Sequence, residues 1–134
     1  MEELTKRIVA HRIWNRACLE DVSDLREGDR ALAAMILADS YVWNGGVLNV
    51  VEILDVHSEF EEAIEAFRYF GSSDVADFLI EARTIYLTEE DLSEYEVALN
   101  ERYWALLPNN GAELTPRFEA VLLEKPWVFA PLPA

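Results

Sequence analysis

Apolar residues return along this chain at intervals of three and four. Phe60, Ala63, Ile64 and Phe67 form one such set, Val75, Phe78, Leu79, Ala82 and Tyr86 a second, and Leu92, Tyr95, Leu99, Tyr103 and Leu106 a third. A helix gathers such residues on one face, whereas a half-buried strand needs strict alternation, which is scarce here. Strong helix formers dominate as well. The pattern predicts an all-α fold, with residues 1–134 forming one compact multi-helix domain that ends in an extended apolar tail. At 134 residues, 51% of them hydrophobic, the chain can bury one core and is too apolar for an acidic disordered tail.

The carboxylates are crowded into one stretch. Glu52 to Glu101 holds fifteen Asp and Glu against Arg68 and Arg83 alone, which is most of the formal net charge of −15. Folding does not require this; gathered like charge returns solubility, steering and attraction to basic partners. A basic footprint for DNA or RNA is missing, so direct nucleic-acid binding is not expected, and an anionic membrane would repel the chain. The longest apolar run, Ala31 to Ala38, is too short to span a bilayer, and no signal-peptide core follows the N-terminus. A cytoplasmic location is expected. Cys18 stands alone in an apolar stretch and reads as a buried, inert thiol.

The elements can be placed roughly. A first helix is expected from about Glu2 to Leu19, with Leu4, Ile8, Ala10, Trp14 and Ala17 at helical spacing. Asp29 can cap a second, whose apolar face includes Leu32, Met35, Ile36 and Trp43. Gly45 and Gly46 supply the positive-φ geometry that ends it. Trp43, Asn44, Gly45 and Gly46 read as structural: a buried indole, a locally bonded amide and a reversal. Val47 to Leu54 is a short apolar helix, and Ser58 to Glu61 fits a capping box. Gly71 stops that helix, and Ser72 or Ser73 caps the next. Thr88 and Asp91 mark another start, Pro108 to Gly111 a break, and Thr115-Pro116 the last helix, through about Leu123. Trp127 and Phe129 in the tail should cover the core or complete an interface.

Helical spacing sets the acids outward. Asp74, Asp77 and Glu81 share one face, Glu61, Glu62 and Glu65 another, and Glu90, Glu94 and Glu101 a third. Each like-charge pair four apart costs roughly 0.2–0.5 kcal/mol, and no lysine in the stretch offsets it. Acids four apart advance about 6 Å along a helix, against 3.4 Å per phosphate on one DNA strand. Imitating duplex charge density would thus take several adjacent stripes, or a dimer.

Signatures of catalysis are missing: no His-Glu-x-x-His, Gly-x-Ser-x-Gly, phosphate-binding glycine loop or EF-hand loop occurs. His11 and His57 are preceded three residues earlier by Ile8 and Leu54, not by the Glu of a helical di-metal site. No enzyme, metal or cofactor is expected.

Arg30 through Gly46, then Ala63 through Gly71, Ala76 through Ala82, Leu99 through Leu106, and Phe118 resemble a family of small bacterial domains named for a DNA mimic protein. The resemblance runs from about residue 25 onward, with Asn44-Gly45-Gly46 as its sharpest motif. The chain departs from the family after the glycine pair, where Val47 to Leu54 and Asp55 to Ser58 stand. The resemblance implies an all-α fold, frequent dimerisation, no cofactor, and an acidic surface that occupies the DNA site of a DNA-binding protein. On this reading the partner is a basic protein, a DNA-binding protein or a nuclease, met by Asp55, Glu61, Glu62, Glu65, Asp74, Asp77, Glu81, Glu90 and Glu94. Two alternatives stay open: an immunity-type protein that neutralises a cationic nuclease toxin, and a structural domain that oligomerises through Trp127 and Phe129.

Overall fold

Helices carry the chain throughout. The computed structural model describes residues 2–56, 59–109 and 112–133. Within them run α1 (Glu2–Leu19), α2 (Glu27–Gly45), α3 (Val47–Val56), α4 (Phe60–Tyr69), α5 (Ser73–Thr88), α6 (Ser93–Leu106) and α7 (Leu114–Glu124), then a single 3-10 turn, Pro126–Val128. No strand occurs among the described residues, and the fold is all-α. His57, the expected Ser58 cap, and Asn110 and Gly111 of the expected break lie outside those residues.

The core forms where the three- and four-residue spacing directs it. Leu32 and Met35 of α2, Val47, Val50, Val51 and Leu54 of α3, and Phe60, Ala63, Ile64 and Phe67 of α4 meet there. Val75, Phe78, Leu79 and Ala82 of α5, with Leu99 and Tyr103 of α6, complete it. Each fully buried Val, Leu, Ile, Phe or Met among them contributes about 1.5–3 kcal/mol relative to exposure. Burial also holds a polar pair across the bundle: the Tyr103 hydroxyl donates to Asp39 Oδ1 at 2.7 Å. Desolvation raises the Asp39 carboxyl above its ordinary value and pushes the Tyr103 phenol well up.

Several expectations are corrected. In α1 the inward residues are Ala10, Ile13, Arg16 and Ala17, while Leu4 and Ile8 are exposed, because the first two turns project past the body. Cys18 is exposed, not buried. Asp29 is not a cap. The cap position is Arg26, and Asp29 sits three residues on, accepting the Arg26 backbone N–H at 3.2 Å. Ser72 precedes α5 without a capping bond; its buried hydroxyl accepts from Arg117 at 2.7 Å. The helix expected to open near Thr88 begins at Ser93, so Glu90 lies in the connection and shares no helical face with Glu94 and Glu101. The last helix starts at Leu114, ahead of Thr115-Pro116.

The tail is partly a turn and partly extended, and it covers the core. Phe129 is buried with its ring 5.5 Å from that of Phe118, whereas Trp127 is exposed. A side chain on Gly28 of α2 would collide with Val128 at 2.8 Å, so only glycine admits the tail this closely. Beside it, the buried Arg16 guanidinium donates to Asp29 Oδ1 at 2.6 Å and to the carbonyls of Ala130 at 2.9 Å and Pro131 at 3.3 Å. Asp29 Oδ2 accepts the Ala130 N–H at 2.8 Å.

Candidate functional site: two acidic regions

The Asn44-Gly45-Gly46 reversal is a fastening point. Gly46 has φ +88°, and a Cβ there would lie 2.9 Å from the Asn100 side chain. Asn100 of α6 uses that space to accept the Val47 N–H at 2.8 Å, which satisfies one of the orphan donors opening α3. The expected roles of Trp43 and Asn44 are corrected. Trp43 is 54% exposed, its ring 4.8 Å from that of Trp104, and the exposed Asn44 side chain makes no hydrogen bond among the described residues. The indole lies outward because α6 crosses this end of α2 with an aromatic of its own.

All nine nominated carboxylates are exposed, but they are not alike. Four are matched to arginines, and α5 is the hub. Asp77 takes Arg68 of α4 at 2.7 Å, and Glu81 takes Arg102 of α6 through two bonds of 2.7 and 2.8 Å. Asp74 lies 3.7 Å from Arg117 of α7, and Glu61 of α4 accepts from Arg83 of α5 at 2.7 Å. Arg83 and Arg102 also lie over the rings of Phe60 and Phe78, at 4.3 and 4.9 Å. Hydrogen bonding from Arg102 holds the Glu81 carboxyl below its ordinary value. Such exposed pairs contribute about 0–1 kcal/mol each. They turn the α5 stripe into a set of interhelical ties, where helical spacing alone set the acids outward on one face.

The other five fall into separate places. Asp55 lies near the end of α3, Glu90 lies in the α5–α6 connection and Glu94 in the first turn of α6, where Glu89, Glu90, Asp91, Glu94 and Glu96 crowd into eight residues. Repulsion from Glu89 is the main cause that raises the Tyr95 phenol there. Glu62 and Glu65 instead line an open groove of about 720 Å³ between α2 and α4.

Sequence reasoning passed over this groove. Its rim adds Glu20, Asp21 and Glu27 from the α1–α2 connection and the start of α2, together with Glu59, which makes six carboxylates. Its floor is small and apolar: Ala31 and Ala34 from α2, Ala63 and Ala66 from α4, closed by Leu37 and Leu54. Alanines at three- and four-residue intervals in both helices were the available signal; they keep two helices close and leave a shallow trough between the longer side chains. Among the described lining residues the one base is Arg30, and its guanidinium donates to the Leu25 carbonyl at 2.8 Å. At the far end the Tyr69 hydroxyl donates to Glu27 Oε1 at 3.3 Å. Burial first, and then the Glu27 charge, push the Tyr69 phenol up to about 12.

Among the described residues, no group of His, Cys, Asp and Glu is arranged to hold a metal, and no helix is long and apolar enough to cross a membrane. A family model described as DMP19-like protein matches residues 23–125, from the α1–α2 connection to the residue after α7. That match corrects the family label expected from the sequence: the family is that of the DMP19-like proteins. Its bounds also leave the apolar tail outside. No curated protein and no solved structure matches the chain.

Proposed function

Because this chain belongs to the DMP19-like protein family, we propose that it is a non-catalytic binding protein whose carboxylates cover a basic, DNA-binding surface of a partner protein. The observation that carries this reading is the charge left over after internal pairing. Of the fifteen acids between Glu52 and Glu101, four are matched to arginines and eleven are in no ion pair among the described residues. Both basic residues of that stretch, Arg68 and Arg83, are already used. The molecule therefore presents a large uncompensated field that internal structure does not consume. Such a field speeds encounter with a cationic surface and disfavours acidic ones. The partner loses its DNA because two polyanions compete for one basic site, so the action is stoichiometric occlusion.

The test is capture on immobilised protein at low and at raised salt, followed by a gel-shift competition. A basic protein should be retained at about 50 mM salt and released as the Debye length shrinks towards about 5 Å. One equivalent of this protein should then displace DNA from the captured partner. Retention that ignores salt, or a captured partner that keeps its DNA, refutes the proposal.

A further inference from the structure

We infer that the α2–α4 groove is the seat for an extended, arginine- or lysine-bearing segment of the partner. This rests on the acidic-binding reading above and goes further, because it places recognition in a trough with an apolar floor, not on the α5 face. The Tyr69–Glu27 bond sets the start of α2 beside the end of α4, and the groove is lined along α2 from Glu27 to Leu37 and along α4 from Glu62 to Tyr69. From Glu27 to Leu37 the trough runs about 15 Å, since a helix rises about 1.5 Å per residue. That length accommodates four to five residues of extended chain at about 3.3 Å each.

The chemistry of the walls chooses the occupant. Six carboxylates face one arginine that is already committed to a backbone carbonyl, so the occupant must be cationic. The alanine methyls with Leu37 and Leu54 offer an aliphatic floor, which suits the hydrocarbon stems of Arg and Lys while their charged heads reach the rim. Arginine is favoured over a bare cation because its fork bonds two carboxylate oxygens at once, as Arg102 does on Glu81 within this same molecule.

The probe is a short fluorescent peptide of alternating arginine and alanine, titrated into the full-length chain and read by anisotropy. Glu62→Gln combined with Glu65→Gln should weaken binding about tenfold, equivalent to about 1.4 kcal/mol. Glu90→Gln combined with Glu94→Gln removes the same charge elsewhere and should change it by less than about twofold at physiological salt. Ala34→Leu fills the trough without altering charge and should also weaken binding about tenfold. Its helix content is checked by circular dichroism, and the two Gln pairs, all on exposed positions, stand independently of its folding. Equal losses from the two Gln pairs, or an Ala34→Leu variant that folds and binds normally, overturn the groove and leave the acidic-surface reading intact. Binding unaffected by added salt removes that reading itself. Displacement of the peptide by spermidine at lower concentration than by unlabelled peptide also overturns the proposal, since the trough would then be a polyamine site.

Discussion

The solvent face of α5 and the trough between α2 and α4 carry the same functional group in opposite circumstances. On α5, Asp74, Asp77 and Glu81 each meet an arginine from a different helix, and their charge is spent within the fold. In the trough, Glu59, Glu62 and Glu65 meet other carboxylates and a floor of methyl groups. A count of acids along the chain does not separate the two. What separates them is whether a base from elsewhere in the sequence arrives beside the carboxylate, so anionic surface for a partner is defined by the absence of such an arrival.

The contrast can be broken most forcefully at its paired extreme. Asp29 is buried against Arg16, and Asp29→Ala should destabilise the protein by about 3 kcal/mol, because a buried guanidinium is left with carbonyls alone. Thermal denaturation measures this; a loss under about 1 kcal/mol, the range of an exposed pair, would erase the distinction between this pair and the surface ones. Charge reversal in the trough comes next. Glu62→Lys with Glu65→Lys should leave the melting temperature nearly unchanged and abolish detectable binding of the arginine–alanine peptide. If Asp77→Lys with Glu81→Lys abolishes binding equally while keeping stability, the two regions are not distinct.

Arg102→Ala should act in the reverse sense, freeing Glu81 at a cost of no more than about 1 kcal/mol. The pH dependence has a definite sign. Arg102 lowers the folded Glu81 value, so the contribution is present above about pH 4.5 and fades as pH falls through the lowered value. The variant should therefore lose less stability than the parent on acidification, and parallel curves would argue against the tie. The smallest effect concerns Tyr69, whose folded value of about 12 stands above its ordinary 10. Its raised value contributes stability that is complete below about pH 10 and disappears towards pH 12. Glu27→Gln should move that phenol's absorbance transition to lower pH; an unmoved transition would mean burial alone sets it.

Much of the helical plan was legible because periodicity is a local property. The bounds of α1 and the inward residues of α4 and α5 follow from spacing alone. Pairing is not local. Arg102 lies one residue past the acidic stretch and Arg117 lies further on, yet α6 and α7 bring both back to α5. Reading the stretch by itself therefore overstated its free charge. The trough was hidden for the complementary reason: Glu20, Asp21 and Glu27 belong to a stretch that is nearly neutral along the chain, and they join Glu62 and Glu65 only through the packing of α2 against α4. Trp43 stands at helical spacing with inward residues, yet α6 meets that end of α2 with the half-buried Trp104 and Trp43 stays at the surface.

The clasp between Arg16 and the carbonyl of Ala130 joins positions 114 residues apart. During synthesis at about 5–20 residues per second, Arg16 waits on the order of 6 to 23 seconds for that carbonyl to be made. For most of that interval the first two helices hold a guanidinium and a carboxylate whose partners in the tail do not yet exist. The amino-terminal half of the molecule is thus completed last, and a nascent chain halted before Ala130 would present an unfinished end to chaperones and proteases.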